Sequence, residues 1–300
     1  MSDPLLSVQG LRKRFNGFLA VDGVSFEVSH GEIFGLLGPN GAGKTTTIRS
    51  VMDIIKAEEG QVTILGNSPA DARSRVGYLP EERGLYRDMR VHEVLVYLAQ
   101  LKGVDRSTAQ KNAETWLERV DLADRHGSRV KELSRGMQQK LQFIASLIHG
   151  PDLLILDEPF QGLDPVNVEL LKALIRELQA NGTTIVLSAH EMNLVEALCD
   201  RILLINRGKS VLYGELAAIK QQYAPSTVRL RVQGELPDLT GVMRVEQQDQ
   251  QYILTLASGA HPQAVLADLV SADIEVQSYE VGSAPLEEIF ISVVKEETHA

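Results

Sequence analysis

Gly38-Pro39-Asn40-Gly41-Ala42-Gly43-Lys44-Thr45, followed by Thr46, is the stretch on which the fold turns. It matches the pattern G-x-x-x-x-G-K-[ST], a loop whose glycines let the backbone wrap closely around phosphate oxygens. Residues 32–37 before it form a compact apolar run that reads as a buried strand, and residues 44–55 after it read as a helix. Backbone N–H groups and the positive end of that helix then point at phosphates, and Lys44 offsets charge on the outer ones. The Thr45 hydroxyl becomes a ligand for Mg²⁺. A glycine-rich turn that needs only positive φ gives no reason for Lys and Thr to follow it, so the expected ligand is a nucleoside triphosphate.

Residues 153–156, Leu-Leu-Ile-Leu, read as a second buried strand running directly into Asp157 and Glu158. Ligands of open α/β sheets bind beyond the carboxyl ends of the strands, which is where these two carboxylates fall. Asp157 is the expected holder of Mg²⁺, and Glu158 the expected acceptor of a proton from the attacking water. Alone, Asp-Glu-Pro after a strand would be an ordinary turn; beside the Lys44 loop it is the acidic half of one site.

Leu133, Ser134, Arg135, Gly136 and Met137 precede a helical segment with Leu141, Ile144, Ala145 and Ile148 on one face. This stretch resembles the LSGGQ signature of ABC-type ATPases, and residues 6–216 resemble an ABC nucleotide-binding domain in motif order and spacing. The resemblance implies that ATP, with Mg²⁺, lies between two head-to-tail copies, Ser134 and Gly136 of one capping the phosphate held by the Lys44 loop of the other. It places Phe15 where the adenine-stacking aromatic stands, His190 at the switch histidine, and Asp164 at the aspartate that contacts the opposite subunit. Catalysis is thus assigned to Glu158, His190 and Lys44. The chain departs from the family at Arg135 and Met137, and at Glu81, which stands where a glutamine normally approaches Mg²⁺ and senses the partner. Glu81 is therefore an expected metal-side residue with an extra negative charge. Residues 78–86, the variant signature and the tail from Pro285 to Phe290 resemble the sodium- or drug-extruding ATPase components of ABC-2 type exporters.

Around these motifs the pattern alternates strands (6–8, 24–28, 61–65, 184–187, 201–205) with helices, which predicts an α/β fold: a P-loop NTPase core sheet, an N-terminal antiparallel part and a helical insert over about 85–150. Within the insert, Ser107 to Gln110 reads as a capping box. Asp164 and Pro165 read as an N-cap and first-turn proline. The expected division is 1–223 for the ATPase domain and 224–300 for a small C-terminal α/β domain, with Ala224, Pro225 and Ser226 as linker. In the second domain strands are expected at 227–232, 252–256 and near 275–279, and helices at 262–271 and 285–294.

Forty acidic against thirty basic residues leave a formal charge of −10, which disfavours nucleic acid as a partner. Apolar runs fall far short of a bilayer's thickness, and one cysteine, Cys199, permits no internal disulfide. The resemblance implies a peripheral subunit on the cytoplasmic face of the cell membrane, working with an integral-membrane permease and a second ATP-binding subunit. A permease helix is expected to dock beside residues 81–90, with Leu85, Tyr86 and Met89 as apolar anchors. Two alternatives stand beside this reading: a soluble ABC-type ATPase unconnected with transport, disfavoured by the lack of sustained heptads, and a nucleotide-responsive regulatory subunit with little hydrolysis.

Overall fold

The computed structural model describes residues 3–82, 84–223, 227–233, 236–248, 251–257, 259–282 and 285–299. Two compact units divide between residues 216 and 217.

The first unit opens with a hairpin, β1 (Leu6–Phe15) and β2 (Phe18–Val28), joined by Asn16 and Gly17, both at positive φ. An Asn-Gly pair with two positive φ values makes the tight turn whose twist suits a hairpin, so both strands run longer than residues 6–8 and 24–28 suggested. β3 (Ile33–Leu37) is buried at every position and leads through the glycine loop into α1 (Lys44–Val51). That helix stops four residues short of the expected 55 because Met52 caps it and Asp53 turns left-handed at φ 55°. β4 (Glu59–Ile64) pairs with β1, completing an antiparallel sheet in the order β2-β1-β4.

After β5 (Val76–Leu79) come three helices, α2 (Val91–Leu101), α3 (Arg106–Arg119) and α4 (Arg135–Leu147). The α3 cap is Asp105, whose carboxylate accepts from Thr108 N at 3.0 Å and from the Ser107 hydroxyl at 2.6 Å. The expected box at Ser107 is therefore displaced by two residues, because Asp caps at least as well as Ser and here takes the Ser107 hydroxyl as its own donor. β6 (Leu153–Asp157), α5 (Pro165–Ala180), β7 (Thr184–Ala189), α6 (Met192–Leu198), β8 (Arg201–Asn206) and β9 (Lys209–Glu215) follow, and α7 (Leu216–Gln222) begins on the first unit's last residue and continues as part of the second.

The larger sheet has the order β5-β6-β7-β3-β8-β9, parallel throughout except for the antiparallel edge β9. Its central strands are apolar on both faces, as a parallel sheet covered on two sides requires. One face packs with α1 and the antiparallel sheet into a single core that includes Leu11, Phe26, Phe34, Ile48 and Ile155. Phe26 and Phe34 stack at 5.3 Å between the two sheets. The carboxyl ends of β3, β6 and β7 thereby converge on α1.

The second unit is a four-stranded antiparallel sheet, β10 (Thr227–Gln233), β11 (Val242–Gln248), β12 (Gln251–Leu256) and β13 (Glu275–Val281), in the order β11-β12-β10-β13, with α8 (Pro262–Ser271) and α9 (Leu286–His299). Val228, Leu230, Leu254 and Leu256 meet Val265 and Leu269 of α8 in its core. Leu286, Ile289 and Val293 of α9 are buried at the spacing of one helical face. The expected linker at 224–226 lies outside the described residues.

Candidate functional site

Backbone geometry builds the phosphate loop. Gly38 sits at φ 148°, where a Cβ would meet the Ile205 carbonyl oxygen at 2.2 Å; Gly43 sits at φ 111°, where one would meet the Ala20 carbonyl oxygen at 2.6 Å. Any side chain at either place would break both the conformation and the close approach. Gly43 is also the N-cap of α1 and supplies no side-chain acceptor, so no side chain competes for the first-turn N–H groups of the helix. Lys44 is nearly buried, and its Nζ donates to the Gly38 carbonyl at 2.7 Å and lies 3.6 Å from Glu158 Oε1.

β6 and β7 supply the acidic half. They pair in parallel with Asp157 opposite Ser188, so two buried polar side chains meet at the end of the sheet. The Ser188 hydroxyl donates to Asp157 Oδ1 at 2.5 Å, and the Thr45 hydroxyl approaches the same oxygen at 3.4 Å. Asp157 Oδ2 is buried without a hydrogen-bond partner. An orphaned carboxylate oxygen at the bottom of a phosphate loop, beside a threonine hydroxyl, suits a hard divalent cation or a water bound to one. Among the described residues no three of His, Cys, Asp and Glu cluster as a metal cage, so a cation here would need oxygens from its nucleotide as well.

Glu158 takes φ 51°, an unfavourable conformation for a glutamate, and it is held there by bonds from its N–H to the Ser188 hydroxyl (3.1 Å) and carbonyl (3.3 Å). Its Oε2 lies 2.8 Å from His190 Nδ1, which donates to the carboxylate. Burial raises the Glu158 pKa above the ordinary carboxylate value against the opposing pull of His190 and Lys44, and nearby Asp157 adds to the rise. Asp157 is raised too, chiefly by burial, with Glu81 adding to it and the bonds from Ser188 and Thr45 opposing it. Such a carboxylate can accept a proton from a water more readily than an exposed one.

A cleft of about 390 Å³ lies over these groups, and its walls hold Phe15, Asn40 through Thr46, Glu81 and Glu158. Phe15 is 44% exposed at the end of β1, with Lys13 Nζ 5.3 Å from its ring centre, so one face remains open for a flat ring. The structure therefore gathers Phe15, the loop, Thr45, Asp157, Glu158, His190 and Glu81. It leaves Ser134 and Gly136 out of the cleft: Ser134 caps α4, accepting from Met137 N at 3.3 Å, and Gly136 lies beside Gly162 and Leu163. Asp164 is the cap of α5, accepting from Asn167 N.

Ser188 is not marked by the sequence motifs, although a hydroxyl interrupting the apolar run Ile-Val-Leu-Ser-Ala, two residues before His190, was the available signal. Phe18, also in the cleft wall, carried none. A second hollow, of about 540 Å³, is bounded by Ile54, Pro80, Leu85, Leu98, Leu101 and Ala145. Leu85, one of the three expected anchors, lines this hollow. Tyr86 instead packs edge-on against Tyr97 at 5.6 Å, and Met89 is not in the wall. Gln142 bridges the segment at this rim to α4, its amide donating to the carbonyls of Pro80 and Glu82 at 3.0 Å each.

Phosphate loop, acidic strand end and cleft together define a nucleoside-triphosphate-binding ATPase domain. Residues 21–161 match the ABC transporter family, and residues 214–294 match the C-terminal domain of DrrA1-3-like ATP-binding proteins. The chain is 40% identical over 295 residues to the uncharacterized ABC transporter ATP-binding protein YhaQ of Bacillus subtilis, covering 97% of this chain and 98% of the relative. It is also 40% identical to the Nod factor export ATP-binding protein I of Ralstonia nicotianae, over 71% of this chain and 68% of that one. A solved ATP-binding subunit of an ABC transporter superposes with a TM-score of 0.69 and 31% identity, over 73% of this chain and 93% of that one. The chain belongs to the ABC transporter ATP-binding proteins, of the group with a DrrA-like C-terminal domain, and is an ATPase subunit whose hydrolysis serves transport.

Proposed function

We propose that two copies of this subunit, or one copy and a related subunit, close head to tail over MgATP on the inner face of a membrane and drive an exporter through a separate integral permease. One observation carries the reading: Phe15, residues 40–46, Glu81 and Glu158 line one cleft, Asp157 and His190 are bonded to its wall through Thr45 and Glu158, and Ser134 and Gly136 stand apart at the start of a different helix of the same chain. A second copy facing the opposite way would bring that helix end to the outer phosphate, where its positive end and the hydroxyl favour an anion.

In this scheme Lys44 and the α1 N–H groups hold the phosphates, Thr45 and Asp157 hold Mg²⁺ with Glu81 nearby, and Phe15 stacks on the base. Mg²⁺, held by Thr45 and Asp157, would supply charge neutralisation to the phosphates. Glu158 accepts a proton from the attacking water, and His190 fixes its carboxylate. Hydrolysis removes the contact that joins the copies, so closure is favoured only while the triphosphate is intact. No helix among the described residues is long and apolar enough to cross a membrane. Export is supported by the likeness to an export ATP-binding protein.

The hollow around Leu85 and Leu101 is the proposed permease dock, because Gln142 ties its rim to the helix that begins at Ser134. Leu85→Cys in the assembled complex is expected to crosslink to a cytoplasmic segment of the permease. Capture of no permease from Leu85 or Leu101 would refute the dock.

A further inference from the structure

The second unit has an exposed edge strand. β11 is an outer strand of its sheet, and residues 243–247 are all exposed, Met243 at 73% and Val245 at 52%. An apolar, open edge of this kind is ordinarily protected by charge, proline or a covering element. Here charge takes a particular order: Arg244-Val245-Glu246, with the Arg244 guanidinium 2.8 Å from the Glu246 carboxylate along one face of the strand. The register with β12 is regular from Arg244 onward, the irregularity being confined to the step between Val242 and Arg244.

We infer that β11 pairs antiparallel with β11 of a second copy about a two-fold axis at Val245, joining two four-stranded sheets into one. Reversing the strand about Val245 sets Arg244 opposite Glu246 of the second copy, and Glu246 opposite its Arg244. Opposite charges directly across a sheet are favourable, and like charges there are not. Val245 meets its own counterpart on the other face, the side on which its partner Leu254 is buried. A two-fold interface must be self-complementary in this way. The other edge, β13, offers no equivalent: its charged residues are Glu275 and Glu280, with no cation. The joint is short, so it acts as a tether that raises the local concentration of a second copy rather than as a tight interface. It requires no nucleotide and stands apart from the ATP-dependent closure proposed above.

The test uses the full chain without nucleotide, carrying Val245→Cys; the native Cys199 is buried and its thiol is pushed well above the usual range by desolvation. Facing Cα atoms in an antiparallel pair are roughly 4.5–5.5 Å apart, within reach of a disulfide. Mild oxidation should give at least about fivefold more covalent dimer than Val281→Cys, an equally exposed position on β13. Adding Glu246→Arg should cut the yield to the control level, and adding Arg244→Glu to that variant should restore it. Rescue by the double exchange separates charge pairing from misfolding. Equal trapping at the two edges, or a yield indifferent to Glu246→Arg, overturns the proposal. The same trapping in a Lys44→Ala background keeps the outcome separate from the fate of the nucleotide sandwich.

Discussion

Two helix beginnings in the first unit, α1 and α4, present the same backbone charge and are finished differently. α1 starts after Gly43, which has no side chain to spend on the cap, and its first turn is surrounded by Lys44, Asp157, Glu158, His190 and Ser188, tied to one another within about 4 Å. α4 starts after Ser134, whose hydroxyl already accepts from Met137 N, and none of those groups stands beside it. The first is a nearly complete anion and cation site; the second is a stable helix end that becomes a site only when a phosphate is brought to it. Under the proposed scheme the difference separates chemistry from coupling: the groups proposed to bind and cleave are prepositioned in one copy, and the group proposed to report the triphosphate comes from another.

Changes at the α1 end should break the chemistry within each copy. The largest effect is expected from Glu158→Gln, which keeps the shape and removes the proton acceptor. Phosphate release should fall by about 10² to 10⁴, with nucleotide affinity unchanged or higher. Turnover within threefold of the wild type would remove Glu158 from the mechanism.

His190→Ala should lower kcat by about tenfold and shift its pH dependence. In the proposed mechanism Glu158 acts as the carboxylate, and its pKa is raised by burial, so activity should be lost as pH falls through that raised value. His190 opposes the rise. Without it the pKa climbs further, and the acid limb of the profile must move to higher pH. An unmoved or lowered limb contradicts the assignment. Stability runs the other way: a carboxyl raised on folding favours the native state below its unfolded pKa, and this contribution disappears as pH rises through the folded value.

Ser188→Ala removes the hydroxyl that donates to Asp157 Oδ1 and accepts from the Glu158 N–H, leaving only the longer Thr45 and Ser188 carbonyl contacts, at a cost of about 1–3 kcal/mol in stability and roughly tenfold in Mg²⁺-dependent turnover. Thermal unfolding and a Mg²⁺ titration of activity would check the two parts. Glu81→Gln is the mildest change, removing one negative charge from the cleft wall; nucleotide affinity should rise about threefold at low salt, and less at high salt. Unchanged partner-stimulated turnover in that variant would leave Glu81 without a coupling role.

The parts legible in the sequence were those where local pattern and chemistry coincide. The apolar runs of β3 and β6 end directly in the loop and in Asp157-Glu158, so strand, turn and functional group share one short segment. Asp164-Pro165 named the start of α5 for the same reason. The hairpin ends at Phe15 and Phe18 were missed because β1 and β2 alternate poorly near their turn, although Asn16-Gly17 marked it. β11 was missed because an exposed edge strand has no buried face to impose a period of two. Ser188 could not be weighed from sequence alone, since its meaning comes from the parallel register that sets it opposite Asp157.

The central claim is that the Lys44 loop of one copy and the Ser134 helix of another make one site. Mixing Lys44→Ala chains with Ser134→Arg chains, in complex with the permease, tests it most directly, because only in the mixed pair does an intact loop face an intact Ser134. Each variant alone should be inactive, and the mixture should regain ATP-driven pairing and a measurable share of phosphate release. Activity in Ser134→Arg chains alone, or a mixture as inactive as its components, would contradict the account.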